Sequence, residues 1–161
     1  MSLFENDDYQ WRETYFVLYD DTQRPTRQTL EAALRKLGRR IEVGDVQTDA
    51  EGRFESLTVV APDDYAGMDI SCVSGDEVAE QVGELSAELS RGVLTREDRA
   101  KIKRLHACTG RLDVYHFERN HSGAATEDEE LLDPGSLLVV LDQLAELCDG
   151  VVVDPQSGTF L

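Results

Sequence analysis

The chain has 161 residues, of which 40% are apolar and 30% charged, and this predicts one folded domain with a sizeable core rather than a chain that is disordered by composition. Its 33 acidic and 16 basic residues give a net charge of −17. Such a surface repels nucleic acid and anionic lipid, so we expect neither as a partner. No apolar run approaches the roughly 20 residues that a membrane span needs, and residues 1–8 lack the basic and apolar stretches of a signal peptide.

The first 13 residues are polar and acidic, with Phe4, Tyr9 and Trp11 interspersed. They predict a flexible arm, residues 1–13, ahead of a single domain that spans residues 14–161. Large apolar side chains in such an arm favour docking. We expect them either to fold back over the core or to bind a second copy of the chain.

The first half of the domain predicts strands around one helix. Residues 14–19 are aromatic and β-branched, which is typical of a strand. A helix follows and ends near Gly38, because apolar residues recur at helical spacing at Leu30, Ala33, Leu34 and Leu37. Residues 40–48 and 54–60 then predict a β-hairpin with a bulge at Gly44. Residues 68–73 predict a further short strand.

The second half predicts three helices among shorter strands. Ser74–Glu77 and Thr95–Asp98 have the spacing of a capping box, so each predicts the start of a helix. The remaining predicted elements are a strand over 112–117, a hydrophilic loop over 119–132 with the acidic run 127–130, an apolar helix over 137–147 that starts at Asp133–Pro134, and two short strands over 151–153 and 159–161.

This order of elements predicts an α+β fold. A hairpin follows the first helix, so the sheet cannot be wholly parallel, and we expect a mixed, mostly antiparallel sheet with the helices on one face, as a two-layer sandwich. The order also fits a ferredoxin-like core if residues 111–118 supply its fourth strand. The last helix and its hairpin then form a C-terminal extension.

The three cysteines predict the compartment. Cys72, Cys108 and Cys148 are odd in number, widely spaced and without a C-x-x-C motif. This pattern indicates buried free thiols in a reducing environment, and therefore a cytoplasmic protein.

One segment concentrates residues that bind metals. All three histidines lie within residues 106–121, together with one cysteine and two acidic residues. Imidazole, thiolate and carboxylate groups suit zinc or another divalent metal. Because residues two apart on a strand share a face, His116 and Glu118, with His121 from the following loop, are the candidate ligands. A fourth ligand has to come from elsewhere in the chain.

Patterns of nucleophilic or phosphate-binding chemistry are absent from the sequence. It has no G-x-S-x-G, no P-loop and no G-x-G-x-x-G. Cys108 lies near His106, but a catalytic thiol needs electropositive or hydrogen-bonded surroundings that lower its pKa. The simpler interpretation is that Cys108 packs in the last turn of the predicted helix.

Together these features favour a small, acidic, cytoplasmic protein that acts without catalysis, as a protein-interaction or regulatory domain. Toxin-neutralising immunity proteins are also small acidic α+β domains, which is an analogy of size and charge alone. Residues 111–161 carry 11 acids and two bases, so the expected partner is a basic protein, or a second copy of the chain. Two alternatives remain open: a small metal-dependent enzyme that uses residues 106–121, and a domain that senses a small molecule.

Overall fold

The computed structural model describes residues 2–37, 40–92, 94–120 and 135–161. These residues form one seven-stranded sheet and four α-helices, so the α+β class is confirmed. In chain order the elements are β1 (Tyr9–Tyr19), α1 (Arg27–Arg35), β2 (Glu42–Thr48), β3 (Phe54–Ala61), β4 (Ala66–Ser74), α2 (Asp76–Leu89), α3 (Arg96–Leu105), β5 (Gly110–Arg119), α4 (Gly135–Cys148), β6 (Val151–Asp154) and β7 (Thr159–Phe160).

The strand order is β2-β3-β4-β5-β1-β6-β7, and every neighbouring pair is antiparallel. The longest pairing joins β1 to β5 and runs from Tyr9 opposite Arg119 to Tyr19 opposite Gly110. Strand β1 begins five residues earlier than predicted, so part of the predicted arm belongs to the centre of the sheet. The register shift after Gly44 confirms the predicted irregularity in β2.

The ferredoxin-like order is not confirmed. That order pairs the first strand with the fourth, as β1 and β5 are paired, and with the third, but the second neighbour of β1 is β6 and not β3. Strand β4 explains the difference. A tight turn over residues 62–65, with Tyr65 at a φ of 54°, folds β4 back onto β3. Strand β4 thereby takes the place beside β5 and moves the β2–β3 hairpin to the edge.

The helices pack on both faces of the sheet, so the two-layer arrangement with helices on one face is not confirmed either. On one face, which we call the α1/α4 face, the buried residues of α1 and α4 pack against Val17, Tyr19 and Val152. On the other, the α2/α3 face, the buried residues of α2 and α3 pack against Leu18, Val151 and Val153. Successive residues of β1 and β6 therefore contribute to opposite cores.

Crossover handedness explains why α1 and α4 share a face. Strands β1 and β2 run in the same direction, as do β5 and β6, and a helix connects each pair. The connection from β1 to β2 crosses the sheet in one direction, and the connection from β5 to β6 crosses it in the other. Strands β5 and β6 also run opposite to β1 and β2. Two crossovers of the same hand then place both helices on the same face, where α1 and α4 contact each other.

Local sequence signals are confirmed unevenly. Thr95 and Asp98 form the predicted capping box of α3. The capping box predicted at Ser74 is wrong, because Ser74 ends β4 and Gly75, at a φ of 102°, occupies the N-cap of α2 without a side-chain bond. The predicted helix end at Gly38, the acidic run 127–130 and the helix start at 133–134 lie outside the described residues. Within the described ranges, no helix has the length and apolar character that a membrane crossing requires.

We predict that Gly150→Ala destabilises the fold. Gly150 joins α4 to β6, and a β-carbon there would lie 2.7 Å from Val17 Cγ1 and 3.0 Å from the Leu18 carbonyl oxygen. Overpacking of this kind costs about 1–3 kcal/mol. The matched control is Gly83→Ala on α2, where an added β-carbon meets nothing within 4 Å, and there alanine is expected to add about 0.5–1 kcal/mol of stability. Urea unfolding measures both, and equal effects of the two variants would contradict this packing.

Candidate functional site

The α2/α3 face is covered over only part of its width. Helices α2 and α3 pack over the β1–β6 side, whereas the same face of β3 and β4 carries polar residues that are not fully buried, namely Ser56, Thr58, Asp69 and Ser71. An antiparallel sheet tolerates one uncovered face when that face is polar. This open part of the sheet is where a ligand can reach side chains held by rigid strands.

The N-terminal arm folds back over one end of this open face. Leu3 is only 4% exposed. The Ser2 hydroxyl and the Leu3 backbone N–H donate to Oδ2 of Asp69 at 2.7 and 2.9 Å. Phe4 meets the rings of Tyr115 and Phe117 edge-on, with centroids 5.2 and 4.8 Å apart, yet stays 58% exposed. The arm thus presents an aromatic ring beside the open face.

Between the arm and edge strand β2 lies a cavity of about 330 Å³, which we call the sheet groove. Its carboxylates are Asp45 and Asp69, and no Lys, Arg or His among the described residues lines it. Asp69 also accepts a hydrogen bond from the Thr58 hydroxyl at Oδ1, 2.8 Å away. The groove is lined by Ser2, Phe4, Asp45, Gln47, Ser56, Leu57, Thr58, Asp69, Ile70, Ser71 and Tyr115.

A buried ion pair lies beside the groove on β5. Arg111 and Asp113 are 6% and 4% exposed, and the guanidinium donates to both carboxylate oxygens, from Nε at 2.5 Å and from Nη2 at 3.1 Å. The guanidinium carbon lies 4.6 Å from the centroid of the Phe16 ring, and Nη1 has no hydrogen-bond partner among the described residues. The Tyr115 hydroxyl donates to Asp113 at 3.3 Å. Burial, and then the charge of Asp113, raise the pKa of Tyr115.

A second feature lies on the outer surface of α2. This helix carries five acids and no base. Four of its glutamates are exposed and follow one another at helical spacing, and we call them the acidic stripe: Glu77, Glu80, Glu84 and Glu88. None of the four forms an ion pair with a described residue.

The predicted metal ligands are only partly brought together. His116 is fully buried, and its Nδ1 lies 2.9 Å from Oε1 of Glu13 on the neighbouring strand. Its Nε2 has no partner in the part of the chain that the structure describes. Glu118 forms an ion pair with Arg12 at 3.4 Å, and His121 lies outside the described residues. Within those ranges no three His, Cys, Asp or Glu side chains are arranged to hold a metal ion, and the zinc or other divalent metal site stays a prediction.

The three thiols are free, as the cysteine pattern predicted, but only Cys148 is fully buried, whereas Cys72 and Cys108 are half-buried. Burial raises the pKa of Cys108 to about 11 and that of Cys148 to about 12. Burial also raises the pKa of Cys72, whose Sγ lies 2.9 Å from the Tyr19 hydroxyl. Because the thiolate is the nucleophile, these surroundings oppose the activation that a catalytic cysteine needs.

Sequence reasoning missed the groove and its ion pair. One signal was available in residues 111–115, where Arg111, Asp113 and Tyr115 alternate with two apolar residues. On a strand this pattern places all three polar-ended side chains on one face. The remaining groove residues come from separate strands and become neighbours only through the pairing of β2 to β5.

Comparison with protein-family models, with curated proteins and with solved structures gave no match to this chain.

We predict that Arg111→Met destabilises the protein by about 3–5 kcal/mol, because it leaves the Asp113 carboxylate buried without its counter-charge. Asp113→Leu has the same kind of cost for the guanidinium. The double variant Arg111→Met/Asp113→Leu removes both charges and is expected to recover most of the loss. Urea unfolding of the four proteins measures the coupling. Additive losses in the double variant would show that the two charges are solvated independently.

We also predict that Gly67→Ala loosens the arm. A β-carbon at Gly67 would lie 2.7 Å from Leu3 Cδ1 and 3.1 Å from the Tyr9 ring. The Leu3 side chain therefore has to shift, and the arm loses part of a burial that is worth about 1.5–3 kcal/mol. Faster proteolysis of the arm and altered fluorescence of Trp11, the only tryptophan, are the readouts. Gly44→Ala is the control, since an added β-carbon there meets nothing within 4 Å. Unchanged proteolysis in Gly67→Ala would contradict this docking.

Proposed function

We propose that this protein is a non-catalytic protein-interaction domain, and that its acidic stripe on α2 binds a basic segment of a partner protein. The observation that carries the proposal is the stripe itself, four exposed glutamates in register on one helix without a described counter-charge. The raised pKa values of Cys108 and Cys148 add support, because they oppose formation of the thiolate that a cysteine-dependent enzyme needs.

The stripe is unfavourable for the isolated chain, which is why it points to a partner. Glu80, Glu84 and Glu88 follow each other four residues apart, where like charges on a helix repel. Glu88 also lies in the last turn, where the helix dipole disfavours a negative charge and no basic residue compensates it. The first-turn acid Glu77 is the only member of the stripe that the dipole favours. A basic partner turns this repulsion into attraction.

The opposite face of α2 is buried in the domain, so the stripe is the face of this helix that can contact a partner. Val78, Val82, Leu85 and Leu89 are buried in the core of the α2/α3 face. The helix is therefore rigidly seated and holds its outer charges at fixed spacing. Fixed charges of one sign attract an oppositely charged partner over long range and select its orientation. The expected binding segment carries Lys or Arg at matching intervals.

The test is binding of a labelled helical peptide whose lysines repeat the spacing of the stripe, compared with a peptide of the same composition in scrambled order. Fluorescence anisotropy at about 50 mM and about 300 mM salt is the measurement. We expect the matched peptide to bind several-fold more tightly at low salt. The triple variant Glu80→Gln/Glu84→Gln/Glu88→Gln is expected to lose about tenfold in affinity, since each exposed pair contributes about 0.2–1 kcal/mol.

The control removes three negative charges elsewhere, from the exposed residues Glu55, Asp142 and Glu146, as Glu55→Gln/Asp142→Asn/Glu146→Gln. Both triple variants have the same net charge. If both bind the peptide equally, or if the scrambled peptide binds as well as the matched one, net charge alone explains the binding and the proposal fails. The stripe variant is also expected to unfold at a higher urea concentration than the wild type, because it relieves repulsion within α2.

A further inference from the structure

We infer that one edge of strand β1 is a docking site for an extended, basic segment of a partner protein, which adds a strand to the sheet there. We call this edge the open edge and define it as the side of residues 9–14 that faces away from β5. The inference rests on the backbone of β1 and not on the acidic stripe, so it stands or falls separately from the proposed function.

Strand β1 is paired on both sides over only part of its length. Strand β5 lies along it from end to end, whereas β6 pairs with it only over residues 16–18. Among the described residues, no strand lies beside residues 9–14 on the β6 side. Backbone N–H and C=O groups left unpaired along a strand edge are a template for another strand. The occupant that this edge fits is therefore an extended peptide.

Tyr9, Trp11 and Thr14 direct their backbone groups towards the open edge. Arg119, which lies opposite Tyr9, donates its N–H away from β1, to a carbonyl oxygen in the turn before β4, at 2.8 Å. Opposing residues of an antiparallel pair direct these groups either both towards each other or both away, and the two kinds of pair alternate. Tyr9 and Trp11 therefore both face away from β5. The bulge at Arg12 shifts the alternation by one residue, so Thr14 is the next to face the open edge.

A side chain already imitates the added strand at Thr14. The Gln156 amide accepts a hydrogen bond from the Thr14 N–H and donates one to the Thr14 carbonyl oxygen, both at 2.9 Å. A residue of a neighbouring strand forms the same reciprocal pair of bonds. Gln156 is exposed, so an incoming strand can displace its amide. The pairing then continues to Trp11, whose N–H and C=O have no partner at the open edge among the described residues.

The side chains beside the open edge favour lysine or arginine on one face of the added strand. Trp11 is 46% exposed, and its indole N–H donates to the Thr14 hydroxyl at 3.1 Å, so the ring lies along the edge. Residues of an added strand that pair with Trp11 and Thr14 place their side chains on this same face. A cationic side chain there can lie over the indole, which is the aromatic ring that attracts cations best.

The charges at the open edge also favour a basic segment. Asp8 precedes one end of the edge, and Asp154 lies at the other end, where its Oδ1 accepts from the amide that caps the edge at 2.6 Å. Neither acid forms an ion pair with a described residue. The base within the edge, Arg12, is engaged by Glu118 at 3.4 Å. When the amide is displaced, Asp154 loses a donor that a lysine ammonium can replace.

The test uses the full chain and the peptide acetyl-Lys-Thr-Lys-Thr-Lys-amide, with two forms methylated at backbone nitrogens as matched controls. Pairing with Trp11 and Thr14 requires that the same peptide residues direct their N–H groups to β1 and their side chains to the indole. These residues are the lysines. We therefore expect methylation of the lysine nitrogens to weaken binding at least about tenfold, and methylation of the threonine nitrogens to leave it nearly unchanged. Both forms keep the charge and the side chains of the parent peptide.

Amide chemical shifts in two-dimensional NMR give the three affinities, and hydrogen exchange locates the pairing. We expect the peptide to slow exchange of the Trp11 amide hydrogen, because that group gains an acceptor. Equal binding of the two methylated forms would show that charge alone holds the peptide, and it would overturn the inference. Unchanged exchange at Trp11 with the peptide bound would overturn it as well.

Gln156→Ala removes the imitating amide and is expected to strengthen binding of the parent peptide about threefold or more. The matched control is Gln47→Ala on edge strand β2, which is also exposed and is expected to leave binding unchanged. An equal response of the two variants would contradict the role of the open edge. Self-association of Gln156→Ala without peptide would assign the edge to a second copy of the chain and overturn the assignment to a partner.

The triple glutamine variant of the stripe separates this result from the test of the proposed function. It is expected to keep the difference in affinity between the two methylated peptides, because the backbone of β1 is unchanged. Loss of that difference in the stripe variant would contradict an edge that acts independently of α2.

Discussion

The pairing of β1 with β5 is the interaction on which the rest of the structure depends. It joins segments about 100 residues apart along ten residue pairs, and every other strand extends the sheet outward from this pair. Strand β1 also contributes residues to both hydrophobic cores, since Val17 and Tyr19 face α1 and α4 while Leu18 faces α2 and α3. Closing so long a loop costs chain entropy that only a long pairing with two buried faces offsets. Both helix layers pack in part on residues of β1.

The open face of the sheet follows from the same geometry. Seven strands at about 4.8 Å spacing span roughly 29 Å, whereas two helices side by side cover about 20 Å. A pair of helices therefore leaves part of each face uncovered. On the α2/α3 face the uncovered part is the β2–β4 side, where the side chains are polar and the short arm supplies the only described cover. The sheet groove is thus a consequence of the mismatch in width between the sheet and its helices.

The sequence predicts most helices and strands because each has a local cause, but it does not predict which strands pair with one another in the sheet. The capping box at Thr95 and the apolar spacing of α4 are local, and both are present in the structure. The place of β4 between β3 and β5 depends on a turn at Tyr65 in a left-handed conformation that no short motif announced. The one-face prediction overlooked residues 15–19, which are apolar on both sides of a strand, the mark of a strand that is covered on both faces. The groove was missed because its lining residues come from four strands and the arm, and only the strand pairing brings them together.

The two acidic features differ in what their negative charge can do. The acidic stripe is solvated, so salt screens its charge within about 10 Å. In the proposed function, that charge sets how fast and in which orientation a basic partner arrives. The carboxylate of Asp69 is held by three hydrogen bonds in a partly enclosed groove, where water competes less and a charge pair is stronger. The two features therefore differ in range although both belong to the α2/α3 face. The charge of the stripe acts over a distance that the salt concentration sets, whereas the carboxylate of Asp69 acts only on groups that enter the groove.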